Sequence, residues 1–273
     1  MRVCIYQPQY FPRLHYFNRA LNSDVFVIMD TAQYTKSLVH REGDETRGKR
    51  HKSYQSDTAI KTSAGVFELT VPIIHGGLKP INKTKIDYTK NWTAKHYHTI
   101  VSAYGTKGDN NKLLEDIRMI LNKKHDSLSD LNVETFLWAL CVLLGTCYKD
   151  GESLERTGRA LKKSGNIRLG KIVKLSELGI ARPEGRQKGT EWTLKICEKF
   201  AATEYYCGGT AQLGYMDENL YADRGIKVIL QNWKCPEYKQ KFLETQGHVK
   251  NLSILDLLLS EGQEEGVDVL VDK

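Results

Sequence analysis

The sequence predicts an α/β protein: a mostly parallel sheet in an N-terminal half, followed by a largely helical second half. Two observations carry this. The short apolar runs "RVCIY" and "DVFVIMD" flank "RLHYFNRALNS", whose Leu14, Phe17 and Leu21 recur at helical spacing. A strand, a helix and a second strand at this separation favour a parallel pair. After residue 90 the apolar pattern changes to the period of amphipathic helices. With 273 residues, 40 % of them apolar, the chain can bury a sizeable core, and a single domain over 1–273 is the expectation.

The elements follow in order. Residues 40–57, "HREGDETRGKRHKSYQSD", are polar and aperiodic and read as a long exposed loop. "VFELTVPII" and "INKTKIDY" read as two more strands joined by a turn at "HGGLKP". "NWTAKHYHTIVSAY" places Trp92, His96 and Ile100 on one helical face. "NNKLLEDIRMILNKK" follows as an amphipathic helix, and "DLNVETFLWALCVLLG" as a largely buried one. Residues 151–190 interrupt this pattern as a basic insertion or lid. "GTEWTLKICEKFAA" is a helix with Trp192, Ile196 and Phe200 four apart. "TEYYCGGTAQ" is a strand and a glycine turn, "IKVILQNW" a strand, and "LSILDLLLSEG" a closing helix.

Charge is uneven. The net +7 is nearly matched by residues 151–190 alone, which hold ten Lys and Arg against four Glu. Residues 35–62 add seven basic against four acidic residues. Such surfaces suit phosphate-bearing partners, DNA among them, although most charge runs are only solvated faces. No run of eighteen apolar residues is present, so no membrane span is expected. The N-terminus lacks a basic region followed by an apolar one. The six cysteines are scattered without a Cys-x-x-Cys pair, which reads as reduced thiols in a cytoplasmic protein. No phosphate-binding GxxxxGK[ST] loop, GxGxxG turn, HExxH helix or G-x-S-x-G elbow occurs. The cofactor is therefore open: there is no ATP motif, and no metal site is expected.

The remaining candidates lie at element ends. Gln7, Gln9 and Tyr10 follow the first strand, where Pro8 and Pro12 stiffen the chain. Their amides read a small polar ligand, or the segment is a proline-shaped turn. Asp30 ends the second strand and is followed by Gln33 and Tyr34; it anchors an amine, acts as a base, or caps a turn. His96, with Lys95 beside it and Trp92 one turn away, is a catalytic candidate or a satisfied core histidine. Gly208 and Gly209, with Gln212 and Tyr215, permit close approach of backbone to ligand, or form an ordinary turn. Ser253 and Asp256 fit a helix-capping box, which demotes Asp256 as a catalyst.

Taken together, "IYQPQYFP", "DVFVIMDTAQYTK", "ELTVPI", "WTAKHYHTI", "LSDLN", "YYCGGTAQLGYM", "YKQKF" and "LSILDLLLSEG" resemble the WbqC-like family, in the family's order and over nearly the whole chain. The sequence departs from the family's usual Arg-Asn pair, leaving Arg41 and Arg47 as counterparts, and carries His15 where a small residue is more usual. The basic segment 151–190 replaces the family's serine-rich stretch.

The resemblance implies a transferase joining the amine of a small, glycine-like amino acid to a phosphate-activated acceptor. The favoured acceptor is a pyrophosphorylated hydroxymethyl base in DNA, as in thymine hypermodification. The alternatives are a nucleotide-linked sugar of O-antigen biosynthesis, or a non-catalytic binding module. On this reading Asp30 handles the amine, while Gln7, Gln33 and Tyr34 fix it. Arg41, Lys95 and His96 face the phosphate, and Arg182, Arg186 and Lys188 contact acceptor phosphates or DNA. The strand–turn–helix–strand order is also similar to the Rossmann-like (HUP-like) half of HIGH-type nucleotidyltransferases, a likeness of fold alone.

Overall fold

The computed structural model describes residues 1–39, 50–106, 110–146, 148, 154, 156–158, 167–184, 188–209, 216–262 and 264–271. Its centre is a five-stranded, wholly parallel sheet. Strands β1 (Arg2–Tyr6) and β2 (Val25–Ile28) pair in register, Cys4 opposite Phe26, with helix α1 (Leu14–Leu21) as the crossover between them. Two small antiparallel pairs follow: β3 (Ser37–Val39) with β4 (Arg50–Lys52), and β5 (Asp57–Thr62) with β6 (Gly65–Thr70). The other strands of the parallel sheet are β7 (Lys171–Lys174), β8 (Glu204–Cys207) and β9 (Lys227–Leu230), so three of its five strands come from after residue 170. The order across the sheet is β7-β2-β1-β8-β9.

Both faces of this sheet are covered, as parallel sheets require. Alternation along each strand divides the core in two. Cys4, Phe26, Ile28 and Tyr206 point to one face and pack under α1, α2 (Trp92–Tyr104), α3 (Asn110–Asn122) and α4 (Leu128–Leu143). Val3, Ile5, Val25, Val27 and Tyr205 point to the other, against α5 (Lys188–Lys199) and α6 (Glu218–Ala222). Helix α4 is buried nearly all round, with Trp138 fully enclosed, which explains its lack of a polar stripe. Its N-terminus is capped by Ser127, whose hydroxyl accepts from the Asp130 N–H. Short helices α7 (Leu243–Gln246), α8 (Ile254–Ser260) and α9 (Glu264–Leu270) close the chain, and α8 and α9 join the first core.

Three local expectations change. "INKTKIDY" is not a strand: Ile81–Lys83 form a 3-10 turn, and the pairing is reduced to one bridge between Ile73 and Ile86. The donors are used elsewhere, because the Ile81 N–H goes to the Ala32 carbonyl and the Asn82 N–H to the Asp30 carbonyl. Within the expected 40–57 loop, residues 50–52 form β4 and Asp57 begins β5; residues 40–49 lie outside the described residues. Ser253 does cap α8, accepting from the Leu255 N–H, but Asp256 does not complete a capping box. Its fully buried carboxylate accepts instead from the hydroxyls of Tyr104 and Tyr238, each at 2.7 Å.

The basic stretch 151–190 contributes to the scaffold. Its residues 171–174 are β7, the outer neighbour of β2. The Gly170 and Lys171 N–H groups both donate to the Asp24 carbonyl, and the Arg168 guanidinium pairs with the Asp24 carboxylate at 3.0 Å. Among the described residues no helix is long and apolar enough to cross a membrane.

Candidate functional site

In an open parallel sheet, ligands bind beyond the carboxyl ends of the strands, where the strand order reverses. Here the reversal falls between β1 and β8, the two strands from which the chain winds outward in opposite directions. Gln7 follows β1, Asp30 lies just past β2, Ser176 follows β7, Gly208 and Gly209 follow β8, and Gln231 follows β9. One edge of the molecule therefore collects several of the residues expected from the sequence.

Asp30 is buried and accepts three hydrogen bonds. One carboxylate oxygen accepts from the Ser176 N–H at 2.9 Å; the other accepts from the Ser176 hydroxyl at 2.5 Å and the Asn82 amide at 3.3 Å. It ties the ends of β2 and β7 to the 3-10 turn at residues 81–83. Gln7 is half-buried and its amide oxygen accepts from Gln55 Nε2 at 2.5 Å. The Gln55 oxygen in turn accepts from the Thr35 N–H. Gln9 is buried, its oxygen turned toward the Arg13 N–H. Gln33 is exposed and bridges to Pro80, and the Tyr34 hydroxyl meets that of Ser56 at 3.0 Å.

Tyr10, Trp92 and His96 form a second group. The Tyr10 hydroxyl lies 2.9 Å from His96 Nδ1, and the Trp92 and His96 rings meet edge to face, 5.1 Å between centroids. An open groove of about 580 Å³ is lined by Trp92 and His96, with Glu68, exposed Lys95 and exposed His98, while Tyr10 is buried beneath. Burial pushes the His96 pKa down to about 4, against the pull of a hydrogen bond with the Thr70 backbone. His96 is therefore neutral near pH 7, which disfavours it as a cation toward phosphate. The bonds of Asp30 run to Ser176 and Asn82, those of His96 to Tyr10 and Thr70. No described hydrogen bond joins the two sets.

The neutral His96 has a consequence for stability. Its folded pKa lies below the unfolded value near 6.5, so between about pH 6.5 and 4 the unfolded chain binds the proton that the folded chain refuses. Stability is then intact above pH 6.5 and falls as the pH drops toward 4, by on the order of 2–3 kcal/mol from this residue. His15, held down to about 3 by burial and then by Arg19, adds to the same fall. Glu134, held at about 2 despite burial by bonds from His125, Tyr148 and Lys123, acts only below its ordinary range near 4.5. Urea midpoints of wild type and His96→Gln from pH 4 to 7 measure this: the variant should show a shallower slope. An unchanged slope would assign the fall to other groups.

The cationic candidates are scattered. Arg182 is exposed, its guanidinium over the Trp192 ring at 5.5 Å, and Lys188 is exposed at the start of α5. Arg41, Arg186, Gln212 and Tyr215 lie outside the described residues. Gly208 does not adopt a left-handed conformation; its lack of a side chain makes room for Arg19, because a Cβ there would stand 2.4 Å from Arg19 Nη2. Gly209 meets nothing comparable.

Sequence reasoning missed Arg19, Gln231 and Ser176. On α1, His15, Asn18 and Arg19 recur at i, i+3 and i+4, the signature of a solvent stripe. In the fold this stripe is covered. Asn18 donates to the Leu270 carbonyl, His15 bonds Asn251, and Arg19 reaches Gln231. The first-turn N–H groups of α1 are also taken, Leu14 by the Leu252 carbonyl and His15 by the Asn251 side chain. The one sequence signal was an arginine within a helix bounded on both sides by strands.

A family model described as the WbqC-like protein family matches residues 7–267. The chain belongs to the WbqC-like protein family. A relative, the uncharacterized protein Rv1507c of Mycobacterium tuberculosis (strain ATCC 25618 / H37Rv), is 28 % identical over 267 residues, covering 96 % of this chain and 95 % of the relative. No solved structure matches. Among the described residues no cluster of three or more His, Cys, Asp or Glu is placed to hold a metal ion. The described cysteines Cys4, Cys141, Cys197, Cys207 and Cys235 are free thiols.

Proposed function

We propose that this WbqC-like protein is a transferase that joins the amine of a small amino acid, glycine-like in size, to a phosphate-activated acceptor at the carboxyl edge of its parallel sheet. The observation that carries this reading is Asp30: a buried carboxylate just past β2, oriented by Ser176 and Asn82. The favoured acceptor is a pyrophosphorylated hydroxymethyl base in DNA. The amine nitrogen attacks the methylene carbon and forms the new C–N bond. The C–O bond breaks, and pyrophosphate leaves with the electron pair. An ammonium group cannot attack, so a proton must leave the nitrogen, and Asp30 is the group assigned to orient the amine and take that proton. Gln7 and the backbone at Gly209, which follow β1 and β8 at the same edge, are assigned to the substrate, and exposed Arg182 and Lys188 to the acceptor's phosphates.

The test supplies purified protein with glycine and other small amino acids, beside either DNA carrying the pyrophosphorylated base or a nucleotide-linked sugar. Products are read by mass spectrometry. A mass gain of one amino acid less water relative to the hydroxymethyl base, with release of pyrophosphate, is expected on the DNA. Product only on the sugar would move the reading to surface-glycan chemistry. Product on neither would reduce the protein to a binding module. The DNA arm has a second readout: Arg182→Glu should lower the slope of log affinity against log salt by about one if that residue meets a duplex phosphate.

A further inference from the structure

Arg19 is a buried cation without a counter-ion among the described residues. Its side chain runs from the middle of α1 back toward the carboxyl edge, as helical side chains do. There its Nε donates to Gln231 Oε1 at 2.5 Å, and its guanidinium lies over the Tyr6 ring, 4.3 Å from the centroid. No carboxylate among the described residues lies within ion-pair distance of it. Burial works against its charge, and among its titratable neighbours Tyr6 favours that charge most, by proximity and a side-chain hydrogen bond, with no carboxylate taking part. Burial pushes the Cys4 thiol up to about 12 and the Cys207 thiol up to about 11, so both are neutral. Burial and Arg19 itself hold the His15 imidazole neutral, with its pKa down to about 3.

A buried guanidinium that lacks an anion is costly, and an anion binding beside it would relieve that cost. The surroundings are arranged for that. Gln231 is fixed by its own Nε2, which donates to the His15 carbonyl at 3.0 Å and to Asn18 Oδ1 at 2.6 Å, so its oxygen is turned to Arg19. Gly208 leaves open the space that the guanidinium occupies. The position, between the ends of β1 and β8, is the reversal point of the sheet.

We infer that Arg19, framed by Tyr6, Gln231 and Gly208, is an oxyanion-binding site that holds a phosphate or carboxylate group of the substrate by charge-assisted hydrogen bonds. This rests on the carboxyl edge being the substrate site. It adds a residue that the transferase reading does not name, and assigns it the anionic part of a substrate. The oxyanion comes either from the acceptor's phosphates or from the carboxylate of the amino acid.

The experiment titrates the full chain with inorganic pyrophosphate, inorganic phosphate and glycine by calorimetry, and follows thermal unfolding with and without each. Wild type is compared with Arg19→Met, Arg19→Lys and Gly208→Ala. Saturable binding by wild type is expected, weakened roughly 10–100-fold in Arg19→Met, the loss that follows removal of a charged hydrogen-bonding partner. Gly208→Ala, which pushes the guanidinium aside without removing it, should weaken the same ligand. Loss confined to pyrophosphate and phosphate assigns the site to the acceptor; loss confined to glycine assigns it to the amino acid. A purely structural arginine would lower the unfolding temperature of Arg19→Met yet leave the ligand-induced rise intact. That result, or binding of none of the three probes by wild type, overturns the inference. If Arg19→Met does not fold, Arg19→Lys and Gly208→Ala decide alone: undiminished binding in both is the overturning result. Amino-acid transfer absent on both acceptors while oxyanion binding persists would remove the transferase reading and leave this site standing. Transfer undiminished in Gly208→Ala and Arg19→Lys would do the reverse.

Discussion

Asp30→Asn is expected to lower amino-acid transfer by roughly 10²–10⁴-fold, the usual contribution of a positioned acid–base group. The substitution keeps the size of the side chain and removes its charge and its ability to take a proton. The fold should tolerate it. The amide oxygen still accepts from the Ser176 N–H, and the Ser176 hydroxyl can rotate to accept from the new NH₂ group. Only the longer contact, 3.3 Å from Asn82, becomes donor against donor. A loss of about 1–2 kcal/mol in stability is the corresponding expectation. Ser176→Ala separates the two roles, since it removes one bond to the carboxylate and leaves the charge. It should cost less activity than Asp30→Asn. Wild-type turnover in Asp30→Asn would leave Asp30 as a tie between β2, β7 and the 3-10 turn, and no more.

The largest effect on stability is expected at Asp256. This carboxylate receives both the Tyr104 and Tyr238 hydroxyls and lies where α2, α8 and β5 meet. Burial raises its pKa, while the two tyrosine bonds and the charge of Lys61 oppose the rise. Lys61 is itself buried, its ammonium donating to the Gly247 carbonyl at 2.5 Å and to Gln240 at 3.3 Å. Asp256→Ala would strand two buried hydroxyls and remove a carboxylate whose charge interacts with a buried ammonium. Losses of this kind amount to roughly 3–5 kcal/mol. Asp256→Asn, which still accepts from one tyrosine, should lose less. Chemical denaturation gives the comparison, and an Asp256→Ala variant within about 1 kcal/mol of wild type would show the network to be dispensable.

Asp256 also marks where reading the sequence stops. Ser253 followed by Asp256 is a sound local pattern, and the serine does cap its helix. The carboxylate is claimed by tyrosines 152 and 18 residues away, and no local spacing announces them. The basic stretch 151–190 is similar. "KIVK" holds only two apolar residues, because an edge strand buries less than a central one. Its place beside β2 is set by backbone pairing and by Asp24, which holds residues 168–171.

Periodicity alone determined the helices at 14–21, 92–104, 110–122, 128–143 and 188–199, and the parallel pairing of β1 with β2 across a short crossover. Apolar spacing reports which face of an element must leave water, and that demand is local. It also drew attention to Gln7, Asp30 and Gly208, since polar and glycine residues at strand ends stand out against apolar runs. Tertiary structure alone decided what covers the polar faces. It carried Ser176 to Asp30 across 146 residues, and laid Gln231 and Gly208 over the stripe of α1 that carries Arg19. A charged side chain on a helix has the same sequence signature whether it meets solvent or is later buried. Only packing of the remote chain against it distinguishes a solvated arginine from one buried without a counter-ion.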